Sequence, residues 1–195
     1  IPVFNGSKTI KNLTIEIISS LENSNLKYEI LFIDDFSNDN SWECIVRLCK
    51  SYKFVKGIKL VSNFGQHNAT IAGLNYCIGD NIVIMDDDLQ HNPKYILEII
   101  DKLNKGNDLC YCSYINREHK TWKIVVSAIN NLILSLGTNK PFNIYASPYR
   151  GINRNTKLKL IKNKDNYIFL DVLILNTNPK LDKIDIYHEK RAEGV

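Results

Sequence analysis

Three consecutive carboxylates, Asp86, Asp87 and Asp88, follow the apolar run Ile82-Val83-Ile84-Met85 in the stretch NIVIMDDDLQHNP. The apolar run reads as a short strand buried on both faces. Unpaired charge is too costly to bury, so the three aspartates belong at the C-terminal end of that strand and not in the core. In open α/β sheets that is where ligands bind. Hard oxygen donors grouped there suit Mg²⁺ or Mn²⁺, and such an ion would in turn hold a phosphate-bearing ligand. A solvated acidic turn is the plainer alternative. The strand–carboxylate–helix context favours the ion. Pro93 opens the helix that follows, with Asn92 as its N-cap.

The elements that must position these residues alternate regularly through the first half of the chain. Ile1 to Phe4 is the end of a strand, and Ser7 can cap a helix running to about Asn23. Tyr28 to Ile33 is a second strand that ends in Asp34 and Asp35, and the turn-rich FSNDNS leads into a helix capped by Asn40 or Ser41. A third strand, Val55 to Val61, runs into SNFGQHNATIAG and a helix from about His67 to Cys77, whose Ala69, Ala72 and Gly73 make a small-residue face for close packing. The acidic strand, a helix over 94–105 and a strand over 109–115 complete a β-α-β-α-β-α-β-α-β order. That order predicts an α/β fold with a largely parallel sheet and right-handed crossovers. Later segments are less regular: an amphipathic helix over 122–136, a strand over 149–152, a short helix to about Ile161, a strand or helix over 172–175, and a last strand over 184–187. With no internal repeat or low-complexity linker, residues 1–195 read as one domain.

Composition narrows the classes. With 44% hydrophobic and 24% charged residues the chain is an ordinary globular protein. It has no apolar run near the roughly 20 residues of a membrane-spanning helix. Residues 1–116 carry 11 basic and 14 acidic side chains, net −3, whereas residues 117–195 carry 14 and 7, net +7. The basic half can face phosphates or an anionic membrane surface, and it lacks the arginine-rich stripe of a nucleic-acid binder. Cys44, Cys49, Cys77, Cys110 and Cys112 include no CxxC pair, which favours reduced thiols in a cytoplasmic compartment over zinc or disulfides. The absence of GxGxxG after a strand excludes the usual dinucleotide-binding oxidoreductase. A start at Ile1 and a stop at Val195 read as a fragment of a longer protein.

Five places together carry a family resemblance: IPVFN at the start, IDDFSNDNS from Ile33, SNFGQHNATIAG from Ser62, MDDDLQHNP from Met85 and HEKRAEG from His188. In this order the chain resembles the inverting glycosyltransferases of family 2, and among them the polyprenyl-phosphate and dolichyl-phosphate sugar transferases. The resemblance implies a GT-A fold: a Rossmann-like, mostly parallel sheet with helices on both faces. It implies that Pro2, Phe4, Asn5 and Asp35 hold the nucleotide, Asp35 by accepting from the base, while Asp34 is structural. Asn63 and Gly65 form a turn beside the nucleotide. Asp86 and Asp88 match the metal-binding positions, Asp88 being the better direct ligand, with Asp87 and Gln90 in the same pocket. Arg117 and Arg150 stand where basic residues face phosphate, Arg191 matches the R-x-x-G arginine, and Asp171 matches the catalytic carboxylate. Asp171 also reads as the N-cap of a following helix. Asn5-Gly6 in place of the usual Asn-Glu, and HNP in place of HPP, leave the chemistry unchanged on this reading.

The implied reaction moves a sugar from a UDP- or GDP-linked donor to a polyprenyl phosphate at the cytoplasmic face of a membrane, with Mg²⁺ or Mn²⁺ on Asp88. A lipid phosphate is already an anionic nucleophile. A sugar hydroxyl in cell-surface polysaccharide synthesis would need a base, for which Asp171 is the candidate. A nucleotide-sugar-binding module without turnover is the non-enzymatic alternative.

Overall fold

Side chains that alternate between two clusters along one buried strand show how the layers are built. In the strand Leu109–Ile115, Leu109 and Tyr111 pack into one apolar cluster and Cys110 and Cys112 into another. The strand thus separates two cores, as successive side chains point to opposite faces. The computed structural model describes residues 1–115, 138, 140, 141, 144–162 and 169–187.

The elements, in chain order, are β1 (Pro2–Val3), α1 (Ile10–Leu21), β2 (Ile30–Asp34), α2 (Ser41–Ser51), β3 (Val55–Lys59), α3 (Gln66–Tyr76) and β4 (Asn81–Ile84). After a 3₁₀ turn over Pro93–Tyr95 come α4 (Ile96–Asn104), β5 (Leu109–Ile115), β6 (Arg150–Asn153), α5 (Arg154–Lys162), α6 (Leu170–Asn176) and β7 (Leu181–Tyr187). Strands β1, β2 and β3 form a parallel sheet. The second sheet has the order β4-β6-β5-β7, with β5 and β7 parallel and β6 antiparallel to both β4 and β5. The strands thus fall into two sheets where one was expected, and within each the expected parallel order holds except at β6. Strand direction is set by the connection into the strand, which the residue pattern of β6 does not encode.

Helices cover both faces. Ile10, Leu13 and Ile17 of α1, Ile45 of α2 and Ile99 of α4 join Phe32 in one core. Leu74 of α3, Leu160 of α5 and Leu173 and Ile174 of α6 join Ile84 and Tyr111 in the other. The small-residue face of α3 does what its composition predicts: a Cβ added at Gly73 would lie 2.6 Å from Ile33 Cδ1, so helix and strand are in direct contact.

Several expected boundaries move. Helix α1 starts at Ile10 with Thr9 as N-cap, and Ser7 instead donates its N–H to Asp39. The segment 172–175, open between strand and helix, is the helix α6. Asn92 caps the 3₁₀ turn as expected, accepting the Lys94 N–H at 2.9 Å. Ile82 and Val83, expected to be buried on both faces, are half-buried. An apolar slot of about 550 Å³ runs between β2 and β4, bordered by Leu31, Ile33, Val83 and Ile100, and it leaves that side of β4 open. The helix expected over 122–136 lies outside the described residues. Among the described residues no helix is long and apolar enough to cross a membrane.

Packing at β6 yields a test. A Cβ on Gly151 would lie 2.2 Å from Cγ2 of the fully buried Ile99 and 3.1 Å from Leu103 Cδ1. Gly151→Ala should destabilise the fold by about 1–3 kcal/mol despite the better strand propensity of alanine. Urea unfolding would show it as a lower midpoint, and an unchanged midpoint would mean that α4 does not press on β6.

Candidate active site

The site is built at the ends of β1, β2 and β4. After Val3 the chain turns through Asn5 (φ 57°), and after β2 it turns through Phe36 (φ 62°). Left-handed backbone costs a non-glycine residue roughly 1–2 kcal/mol, so both turns need support. They support each other. The Asn5 N–H donates to Ser37 Oγ at 2.9 Å, the Asn38 N–H donates to Asn5 Oδ1 at 2.9 Å, and the Ser7 N–H donates to Asp39 Oδ2 at 3.1 Å.

Asp34 and Asp35 are both buried. Asp34 Oδ1 accepts the Ser37 N–H at 3.3 Å. Asp35 holds the next turn: its two oxygens accept the N–H groups of Phe64 and Gly65, each at 2.8 Å. Asn63 Oδ1 also accepts the Gly65 N–H, at 3.2 Å. Gly65 has φ 83° and open space where a Cβ would stand, so glycine is required there by backbone conformation. Each Asp35 oxygen retains a second lone pair, which leaves it able to accept from a ligand as well.

The three aspartates close the other side. Pro2, Phe4, Asn5, Asp35 and Asp86 to Asp88 line one pocket of about 270 Å³, together with Gly6, Thr9 and Gln66. Gln66, at the start of α3, donates its side-chain amide to Asp86 Oδ1. Asp88 Oδ1 accepts the Gln90 N–H at 3.1 Å, and Leu89 between them has φ 64°. Asp87 Oδ2 is buried and without a hydrogen-bond partner among the described residues, and a Cβ added at Gly6 would strike it at 2.0 Å. The Asn-Gly sequence at the first turn is therefore not neutral: it makes room for the Asp87 carboxylate. Burial first, and then the charge of Asp88, raises the Asp86 carboxyl to about 6. Burial, with Asp86 and Asp88 adding to it, raises Asp87 to about 7.

Beside this pocket stands a second cluster. Register pairs Arg150 of β6 with Ile84 of β4 on one side and Tyr111 of β5 on the other. Arg150, its side chain only 4% exposed, forms an ion pair with Asp171 Oδ1, and the Tyr111 hydroxyl donates to the same oxygen at 2.7 Å. Burial keeps Tyr111 protonated by pushing its pKa well up, so it serves as a neutral donor. Asp171 lies in the first turn of α6 and does not cap it; the N-cap is Phe169, without a side-chain cap bond. The exposed Phe169 ring lies 5.6 Å from the ring of His67.

Carboxylates with raised pKa values, crowded at a strand end, have the donor chemistry of a Mg²⁺ or Mn²⁺ site. Among the described residues no group of three His, Cys, Asp or Glu side chains is placed to hold a metal ion. Mg²⁺ is commonly held by only one or two carboxylates, with waters and substrate phosphates completing its shell. Asp86 and Asp88 fit such a role.

A sequence model described as Glycosyl transferase family 2 matches residues 1–164. The chain belongs to glycosyl transferase family 2. Among curated proteins, this family 2 chain is 28% identical over 195 residues to an undecaprenyl-phosphate 4-deoxy-4-formamido-L-arabinose transferase of Shewanella sediminis. It is 26% identical over 196 residues to the protein of the same description from Pectobacterium atrosepticum. All of the chain is aligned in both cases, and it spans 59% and 60% of the lengths of those relatives. Among solved structures, glucosyl-3-phosphoglycerate synthase from Mycobacterium tuberculosis, in complex with Mn²⁺, UDP and phosphoglyceric acid, superposes with a TM-score of 0.70. That match has 16% identity and covers 98% of this chain and 69% of the other. The fold is GT-A.

Of the residues singled out in the sequence, Pro2, Phe4, Asn5, Asp35, Asp86, Asp87 and Asp88 meet at one pocket. Gly65 donates its N–H to Asp35 and to Asn63, the Gln90 N–H donates to Asp88, and Arg150 and Asp171 pair next door. Arg117 and Arg191 lie outside the described residues. Sequence reasoning missed Gly6, Gln66 and Tyr111. Gln66 and Gly6 stood inside quoted motifs, so their polar or small character was a usable signal, whereas nothing local marks Tyr111.

The raised carboxyl pKa has a defined sign. Asp86 ionises less readily folded than unfolded, so ionisation destabilises the metal-free fold as pH rises from about 4 through about 6. Asp86→Asn mimics the protonated form. Without metal it should be more stable than the parent by about 1–3 kcal/mol at pH 8, and the difference should vanish near pH 4. Denaturant titrations at the two pH values check this, and a pH-independent difference would contradict it.

Proposed function

We propose that this family 2 transferase moves one sugar from a UDP- or GDP-linked donor to a polyprenyl phosphate, inverting the anomeric carbon. The observation that carries the reading is the single pocket in which the β1 and β2 loops meet Asp86, Asp87 and Asp88. The names of the curated relatives support the acceptor class, and the Mn²⁺ and UDP of the solved neighbour support the metal and donor classes. Residues 1–195 act in this reading as one catalytic domain.

In this reading Pro2, Phe4, Asn5 and Asp35 seat the nucleotide, and Asp86 and Asp88 would hold Mg²⁺ or Mn²⁺, with Asp88 as the better direct ligand. When bound, the ion offsets charge on the departing diphosphate as a Lewis acid. An acceptor phosphate oxygen attacks the anomeric carbon from the opposite side, the bond from that carbon to the diphosphate oxygen breaks, and the nucleoside diphosphate leaves. Arg117 and Arg191 stand as phosphate partners, since a guanidinium fork pairs phosphate oxygens. The net charge of +7 over residues 117–195 favours an anionic, cytoplasmic membrane surface.

The engagement of Asp171 supports a phosphate acceptor over a hydroxyl. Its Oδ1 is taken by Arg150 and Tyr111, an arrangement that holds a carboxylate in place. A phosphate acceptor is ionised before it attacks and does not need that carboxylate as a base.

Two experiments test the proposal. Asp88→Asn should remove the Mn²⁺-dependent part of UDP or GDP binding in calorimetry, and should abolish transfer while leaving the melting temperature unchanged. Unaltered binding and turnover would move the metal elsewhere. Separately, Asp171→Ala should lower stability by about 3 kcal/mol, because Arg150 is left buried and unpaired. Asp171→Asn should lose less than about tenfold in transfer to polyprenyl phosphate at saturating donor, where loss of a general base costs ~10²–10⁴-fold. A thousandfold loss in a folded Asp171→Asn protein would assign the hydroxyl-acceptor class.

A further inference from the structure

His91 follows the aspartates and is 4% exposed. Its Nδ1 accepts the backbone N–H of Asp86 at 2.9 Å, so this nitrogen carries no proton and the ring hydrogen is on Nε2. Nε2 lies 3.9 Å from Asp86 Oδ2, too long for a direct hydrogen bond. The ring itself is fixed by packing. It stacks on Tyr149 with centroids 4.9 Å apart and planes 14° from parallel, and lies 6.4 Å from the Tyr114 ring. Tyr149 is fully buried and donates its hydroxyl to the Asn92 carbonyl at 3.0 Å, next to the capped 3₁₀ turn. A rigid path thus runs from the helix start through Asn92, Tyr149 and His91 to the first of the three aspartates.

We infer that His91 is a positioning residue that fixes the Asp86–Asp88 turn from behind, through the acceptor at Nδ1, and thereby sets how well that turn holds a divalent cation. The chain folds back on itself over 86–91, with Leu89 in left-handed backbone, so the turn is short, strained and in need of an internal brace. Gln66 grips the Asp86 carboxylate from α3, and His91 grips the Asp86 backbone from the core side. Between them they leave Asp86 one orientation. Residues of this kind, which touch a ligating residue and not the ion, typically change metal affinity 10–100-fold when replaced. The inference rests on the proposed metal reading for its consequence, but not for the contact itself.

Three measurements on the whole chain separate the two. In the metal-free parent protein, ¹⁵N NMR of the imidazole should show an unprotonated Nδ1 and a protonated Nε2; an Nδ1–H tautomer overturns the inference without any substitution. Two variants then divide the ring from its acceptor. His91→Phe keeps a ring against Tyr149 and loses the acceptor, while His91→Asn places an amide oxygen near the Nδ1 position and loses the ring. Hydrogen exchange at the Asp86 amide, again without metal, should be faster by about tenfold or more in His91→Phe and near the parent rate in His91→Asn. With UDP present, Mn²⁺ titration followed by electron paramagnetic resonance should show about tenfold weaker binding in His91→Phe and less than about threefold change in His91→Asn. Equal exchange and affinity in His91→Phe and parent overturns the proposal. So does equal weakening in both folded variants, which would assign the effect to ring packing. If the parent takes up no Mn²⁺ with UDP or GDP, the metal reading fails, and the tautomer and the amide exchange still decide the role of His91. Should His91→Phe not fold, the tautomer and the asparagine variant carry the decision.

Discussion

Three carboxylates placed side by side at a half-buried strand end repel one another and resist the loss of water. Burial and mutual charge raise two of them to about 6 and about 7, so the metal-free site is a place where negative charge is unwelcome. Much of the surrounding structure answers that constraint. Gln66 donates to Asp86, Arg150 stands near enough to favour its charged form, and Gly6 withdraws a side chain from the space that Asp87 needs. A cation brought in with a diphosphate would relieve the same repulsion more fully than any of these. A site strained in this way is poised for a charged ligand, and β4 is held beneath it by its pairing with β6 and by the burial of Ile84 and Met85.

The loops that complete the pocket are fixed mainly by each other. Asn5 and Phe36 adopt left-handed backbone, and the bonds Asn5–Ser37 and Asn38–Asn5 tie one turn to the other. Asp35 ties the β2 end to the turn that starts α3, and α3 returns Gln66 to Asp86. The connections make a closed circuit: β1 loop, β2 loop, α3, β4 end. Displacing any member moves the others, which is what a site needs if a nucleotide, a metal and a sugar must be held in mutual register.

Much of this was legible in the sequence because it rests on local patterns. The β-α alternation, the apolar run ending in three aspartates, the Asn92 cap and the small face of α3 are all encoded within a few residues. The antiparallel entry of β6 was not legible, since a strand of four residues, Arg150-Gly151-Ile152-Asn153, carries no direction. Nor was the half-exposure of Ile82 and Val83, which depends on a slot between two sheets that no single strand reveals. At the site, types and spacing picked out the carboxylates and the turn glycine. Roles that arise from long-range pairing escaped: Tyr111 meets Asp171 across 60 positions, and Gln66 meets Asp86 across 20. Sequence periodicity reports which face a residue occupies, not which distant partner it meets there.

The register of β6 joins the two halves of the site. Arg150 is paired in the sheet with Ile84, just before the aspartates, and with Tyr111, whose hydroxyl it shares Asp171 with. One guanidinium therefore anchors Asp171 and also lowers the cost of ionising Asp86. Buried as it is, Arg150 cannot leave Asp171 for a phosphate without stranding a carboxylate beside Tyr111, and the desolvation cost of such stranding is several kcal/mol on the order seen for broken buried pairs. Through Asp171, Arg150 fixes α6 against β5 and β6. Asp171 and Asp86 are linked through this one side chain, so a change that loosens Asp171 unmasks the guanidinium and makes the Asp86 carboxyl easier to ionise.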